Sequence, residues 1–127
     1  MPRPLSLLPL LIAVACSASP ATLSAADLED LVTGLCAAVE RSDATESEAA
    51  FFGRAHAPLH TLADTLRERE LTVAAADLLV AKQRVEASYT QGLPPPLLHD
   101  NLRALVVVTD DGLEALRLRP LDCDQGT

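Results

Sequence analysis

The chain has 127 residues, enough for one domain, and carries ten Lys or Arg against 18 Asp or Glu, a net charge of −8. Nearly half of it is hydrophobic, yet its aromatic residues number three: Phe51, Phe52 and Tyr89. So acidic a surface argues against nucleic acid as a partner and against electrostatic attachment to anionic lipid.

Residues 1–15, MPRPLSLLPLLIAVA, place one cation, Arg3, ahead of an apolar run from Leu5 to Ala15. A run of about eleven residues is too short to span a bilayer, which takes about 20, but it fits the apolar region of an export signal. Pro2, Pro4 and Pro9 make a packed core helix costly here. The expectation is an exported protein of the cell envelope or the medium. Ala13-Val14-Ala15-Cys16 resembles the signal box of bacterial lipoproteins, with Ala13 where Leu is usual, and the resemblance implies lipidation of Cys16. The anchor would then be the sole membrane attachment. The alternative is ordinary cleavage at a small-x-small site, as late as Ala26, and free secretion. Loss of Arg3 leaves nine cations against 18 anions, a net charge of −9. Arg outnumbers Lys nine to one, with Lys82 alone, which with the Ala and Pro content reads as the codon bias of a GC-rich bacterial genome.

Removing Cys16 by lipidation or cleavage leaves Cys36 and Cys123 of the three cysteines. In an oxidising compartment these two are expected to pair, closing a loop whose entropy is worth about 4–5 kcal/mol. A pair of thiolate metal ligands is the alternative, but no CxxC spacing supports it.

Residues 16–23 form a short tether, and 24–127 read as one helical domain. Ser24 with Asp27 marks a helix start. Leu28, Leu31, Val32, Leu35, Cys36 and Val39 then recur at spacings of three and four, to about Arg41. Ser42–Thr45 reads as a loop. In residues 46–70 the stripe Phe51, Ala55, Leu59, Leu62 and Leu66 keeps its phase through Pro58, which predicts one helix kinked at 54–58 because Pro58 cannot donate to the Arg54 carbonyl. A third helix spans about 72–90, with Ala75, Leu78, Leu79, Lys82, Val85 and Tyr89 inward and the Lys82 stem able to snorkel. Gly92 and Pro94-Pro95-Pro96 end it. Leu98, Leu102, Leu105, Thr109, Leu113 and Leu116 predict a fourth helix to about Leu118. Val106-Val107-Val108 with Asp111-Gly112 leaves a β-hairpin as the alternative there. The fold class is all-α, an up-down-up-down four-helix bundle. Cys36 lies about 18 Å up the first helix, and a five-residue extended tail reaches roughly 16 Å, so the disulfide closes if the tail folds back along the bundle.

His56 and His60 are four apart, hence one above the other on a helix. Glu86 is expected at the height of His56 on the facing helix, and inward His and Glu from facing helices are what bundle metal sites use. The three are the candidate metal ligands. The plainer reading is two boundary histidines hydrogen-bonding beside a Pro kink. Of Phe51 and Phe52 only one can face inward. His99 reads as a first-turn surface residue, and Asp43-Glu46-Glu48 and Asp110-Asp111 as solvated faces without the spacing of a calcium loop. No Gly-rich phosphate loop, GxSxG or recognisable Cys-His context is present.

The run ADLEDLVTGLCAAVERSD, residues 26–43, resembles the opening of the soluble b-type cytochrome that forms a periplasmic four-helix bundle. The resemblance implies architecture and export. That family ligates haem with a Met in its first helix and a His in its last; here Val32 stands at the Met position and the second half of the last helix has no His. RAHAPLHTLA (54–63) and LLVAKQRVEA (78–87) look like segments of small exported helical proteins of GC-rich bacteria. The expected function is a non-enzymatic accessory or interaction protein of the cell envelope, with a protein partner and without cofactor. The alternative is an exported bundle that binds copper, zinc or haem through His56, His60 and Glu86.

Overall fold

The computed structural model describes residues 22–123; the segment 1–15 expected to be an export signal, and Cys16, lie outside them. Among the described residues all regular structure is helical: α1 (Ala25–Glu40), α2 (Ala44–Ala50), a π-helical turn (Phe51–Ala55), α3 (His56–Glu68), α4 (Thr72–Gln91) and α5 (Pro95–Ala115). The residues joining α2, the π turn and α3 keep right-handed helical dihedrals, so these three form one continuous helical segment. Four helices result, and they form the helical bundle expected from the apolar periodicity. Sequence neighbours pack on each other: α1 on α2 and the π turn, α3 on α4, α4 on α5.

α1 begins at the expected capping box. Ser24 Oγ accepts from Asp27 N–H, and Ser24 N–H donates to an Asp27 carboxylate oxygen, both at 3.0 Å. Two orphan donors of the first turn are thereby satisfied. α2 begins at a cap that the acidic reading missed. Asp43 Oδ1 accepts from Thr45 and Glu46 N–H at 2.7 and 3.1 Å, so Asp43 holds a helix terminus instead of only facing water.

Ser47, Phe51, Ala55 and Leu59 are all buried, at successive spacings of four. In a regular α-helix each step of four overshoots one turn by about 40°, and three such steps would carry the stripe off the core. The π turn absorbs that drift, with His56 N–H donating to the Phe51 carbonyl five residues back. The change of helical register therefore falls at 51–55, and Pro58 sits buried in the first turn of α3.

Three helices end alike. Glu70, Gly92 and Arg117 have φ of 63°, 64° and 63°. Leu71, Leu93 and Leu118 then donate to the carbonyls of Leu66, Ser88 and Leu113 at 2.8, 3.0 and 2.8 Å. This is the Schellman arrangement with a leucine following the left-handed residue each time. Only Gly92 announces it by residue type.

The β-prone run Val106–Val108 lies inside α5, and the hairpin alternative does not form. Leu98, Leu102, Leu105, Thr109 and Leu113 are all buried, a helical stripe that a strand pair would split between two faces. Beyond α5 the tail folds back. Cys123 is bonded to Cys36 with 5.0 Å between their Cα atoms. Leu121 is buried and donates its N–H to Asp110 Oδ1 at 2.7 Å. Asp110, read from sequence as a solvated face, is thus a tether for the tail.

Thr109 Oγ1 is fully buried and has no hydrogen-bond partner among the described residues. Other helical hydroxyls here bond four residues back: Thr61, Thr65, Ser88 and Thr90 reach Ala57, Thr61, Arg84 and Glu86 carbonyls at 3.3, 2.8, 2.8 and 2.9 Å. Thr109→Val is expected to stabilise the fold by about 1 kcal/mol, because an isosteric methyl replaces a desolvated hydroxyl. Thermal unfolding should show a midpoint higher by roughly 4–8 °C. A lower midpoint would mean that the hydroxyl is satisfied.

Candidate functional site

All three aromatic residues meet at the π turn. Phe51 is completely buried and Phe52 is 43% exposed, as their adjacency on a helix requires. Their rings stand edge-on at 5.0 Å, and Tyr89 of α4 lies 5.7 and 5.9 Å from them. Such pairs contribute about 0.5–1.5 kcal/mol each beyond area burial. Ser47 Oγ donates to the Ala38 carbonyl at 2.7 Å, one of the free carbonyls at the end of α1. Its single proton being used there, Ser47 accepts from Tyr89 OH, also at 2.7 Å. Burial raises the Tyr89 phenol above its usual 10, and the Glu48 carboxylate adds to the rise.

The two histidines line the next turn. The His56 and His60 rings are edge-on at 4.8 Å, and His56 lies 5.4 Å from Phe52. His56 Nε2 is 2.9 Å from Glu86 Oε2, so the equal height expected for these residues on α3 and α4 is observed. The same oxygen accepts from Lys82 Nζ at 2.6 Å. The Lys82 side chain is 4% exposed; its ammonium is held inside by Glu86 and does not snorkel to water. The reason is local: one turn along α4 a carboxylate offers a charge-assisted bond, which offsets the desolvation a buried ammonium otherwise suffers.

Of the three candidate ligands the structure brings His56 to Glu86 and His56 to His60. The cation on Glu86 is Lys82. Among the described residues no three His, Cys, Asp or Glu side chains are arranged to hold a metal ion. Among the described residues Ser47 is committed to Ala38 and Tyr89, and Cys36 to Cys123. His99 is exposed, as expected, and accepts from Arg103 Nε at 3.1 Å. Sequence reasoning missed Ser47, Tyr89 and Lys82 as members of this cluster. Lys82 carried a signal in being the one Lys of the chain, placed four residues before a Glu on an inward stripe.

His60 is exposed at one edge but loses hydration against its neighbours, and this lowers its pKa below the usual 6.5; the Lys82 ammonium and His56 lower it further, while Glu86 and Asp64 oppose. The folded state therefore binds the His60 proton less readily than the unfolded chain. Stability from this group is fully present above pH 6.5 and declines as pH falls from there through the lower folded value. In an NMR titration His60 is expected to show a midpoint below the usual 6.5 of an imidazole. Lys82→Met should move His60 upward, since a positive charge is removed. A His60 midpoint unmoved by Lys82→Met would show that the ammonium does not act on it.

Compared with protein families, with curated proteins and with solved structures, the chain matches none.

Proposed function

We propose that this is an exported, non-enzymatic accessory or interaction protein of the cell envelope. The observation that carries the reading is the Cys36–Cys123 bond, whose sequence separation of 87 residues ties the tail to α1; such cross-links persist in oxidising compartments and are rare in reducing ones. The export-like segment at 1–15 and the box at Cys16 support the same reading. So does the internal use of the polar groups, since His56, Glu86, Lys82, Ser47 and Tyr89 bond to one another. Among the described residues no helix is long and apolar enough to cross a membrane, so an anchor at Cys16 would be the means of attachment.

Intact-mass measurement of the protein recovered from envelope and medium tests this. The expected result is a chain shortened at its N-terminus, two hydrogens lighter than its reduced form, with or without added diacylglyceryl mass. A full-length, cytosolic chain with free thiols would overturn it. The alternative metal-binding bundle requires an ion to displace Lys82 from Glu86. Copper, zinc or haem retained through purification, with a thermal midpoint that falls on its removal, would favour that reading instead.

A further inference from the structure

We propose that the outer face of α4 is a docking surface for a second copy of this chain. Val73 and Val80 are 73% and 47% exposed there. They lie seven residues apart, on one stripe that continues to the half-buried Ala87. Seven-residue spacing is the repeat by which one helix lies along another. Beside Val80 the seam with α5 opens into a shallow groove of about 270 Å³, lined by Asp77, Val80, Ala81, Arg84, Ala104 and Val108.

The charges identify the occupant. Asp77 and Arg84 flank the stripe, both exposed, and neither side chain has an ion-pair or hydrogen-bond partner among the described residues. They stand symmetrically about the point midway between Val80 and Ala81, about 10.5 Å apart along the axis. A twofold axis at that point, perpendicular to α4, lays a second α4 antiparallel on the first. Asp77 then faces the partner's Arg84, and Arg84 faces the partner's Asp77. The partner's Val80 meets Ala81 and enters the groove. One set of residues thus supplies both sides of the contact, as a twofold interface requires. A parallel arrangement would leave both charges unmatched, so the pairs fix orientation more than strength.

The strip is one helix face with an edge of α5, small against the roughly 800 Å² per partner of a stable complex, so the dimer is weak, with Kd on the order of 10–100 µM. A net charge of −8 on each copy opposes approach. At about 0.15 M salt that long-range repulsion is screened beyond about 8 Å, while pairs in contact persist.

Sedimentation of the purified chain from about 5 to 500 µM in such a buffer is the test. The weight-average mass should rise from one chain toward two. Val80→Glu should leave a monomer throughout. Asp77→Arg and Arg84→Asp should each weaken association at least tenfold, and D77R/R84D together should restore it, since the swap recreates both pairs. All three positions are exposed, so circular dichroism should be unaltered in each variant. A wild type that stays monomeric to 500 µM overturns the proposal. So do single charge reversals without effect, or a double reversal that fails to restore the dimer.

Discussion

Replacing Cys36 and Cys123 together by Ser is expected to lower folding stability by about 4–5 kcal/mol, a large part of the 5–15 kcal/mol typical of a domain. The loss acts mainly through the unfolded chain. With a separation of 87 residues, the cross-link restrains nearly all of the described structure before folding begins. It also acts where the bundle has little else: beyond Ala115 the tail is held by burial of Leu121, its 2.7 Å bond to Asp110 and the Leu118 turn. Urea denaturation of the oxidised wild type and the double variant gives the difference. The thermal midpoint should fall by roughly 20–30 °C. The slope of the urea transition should steepen, because the uncrosslinked unfolded chain exposes more surface. The reduced wild type should match the double variant. A loss below about 1 kcal/mol would show that the unfolded ensemble is restricted without the bond, and that the tail's own contacts hold it.

Elements whose signal is a residue type at a fixed spacing were legible in the sequence. Ser24 with Asp27 gave the start of α1, and Gly92 with three prolines gave the end of α4. The stripe from Leu98 to Leu113 gave α5 in spite of three consecutive valines, because burial on one side decides a helix more than intrinsic preference does. Pairing of Cys36 with Cys123 followed from counting. What stayed hidden depends on distance between elements. Ser47 and Tyr89 are 42 residues apart and meet through one hydroxyl, and nothing in either neighbourhood points to the other. Asp110 had the same character as Asp111 until the tail folded back on it. The meeting of His56 with Glu86 was accessible because turns can be counted from the short α3–α4 connection. The occupant of the resulting pocket was not: Lys82 was given a path to solvent, and only packing shows that the path is closed. The π turn lay between these cases. Its signature, Ser47-Phe51-Ala55-Leu59 at steps of four, was present, but Pro58 offered a simpler cause for the same disturbance.

That turn sets the second large effect. Gly34 of α1 is buried, and a Cβ built on it would lie 2.7 Å from the Ala55 backbone nitrogen and from Arg54 Cβ, and 3.0 Å from the Arg54 carbonyl carbon. α1 therefore approaches the π turn backbone to backbone, and glycine is what permits the approach. Gly34→Ala gains about 1 kcal/mol of helix preference. Against this, two backbones cannot yield as a side chain would, so α1 must move away from residues 54 and 55. Leu31, Leu35, Phe51 and Ala55, all completely buried, lose contact together. Overpacking typically costs 1–3 kcal/mol and occasionally more, and rigid neighbours on both sides place this site at the upper end. A net loss of about 3 kcal/mol is expected in urea denaturation. Gly53 gives the control within the same turn. Its Cβ would meet nothing within 4 Å, so Gly53→Ala should be neutral or stabilising by up to about 1 kcal/mol. The same change nineteen residues apart should thus be destabilising at Gly34 and neutral or stabilising at Gly53. If Gly34→Ala were neutral, the approach of α1 to the turn would be looser than 2.7 Å implies. Displacing the turn should also move His56 relative to Glu86, so the His56 ring resonances should shift in Gly34→Ala and stay in place in Gly53→Ala.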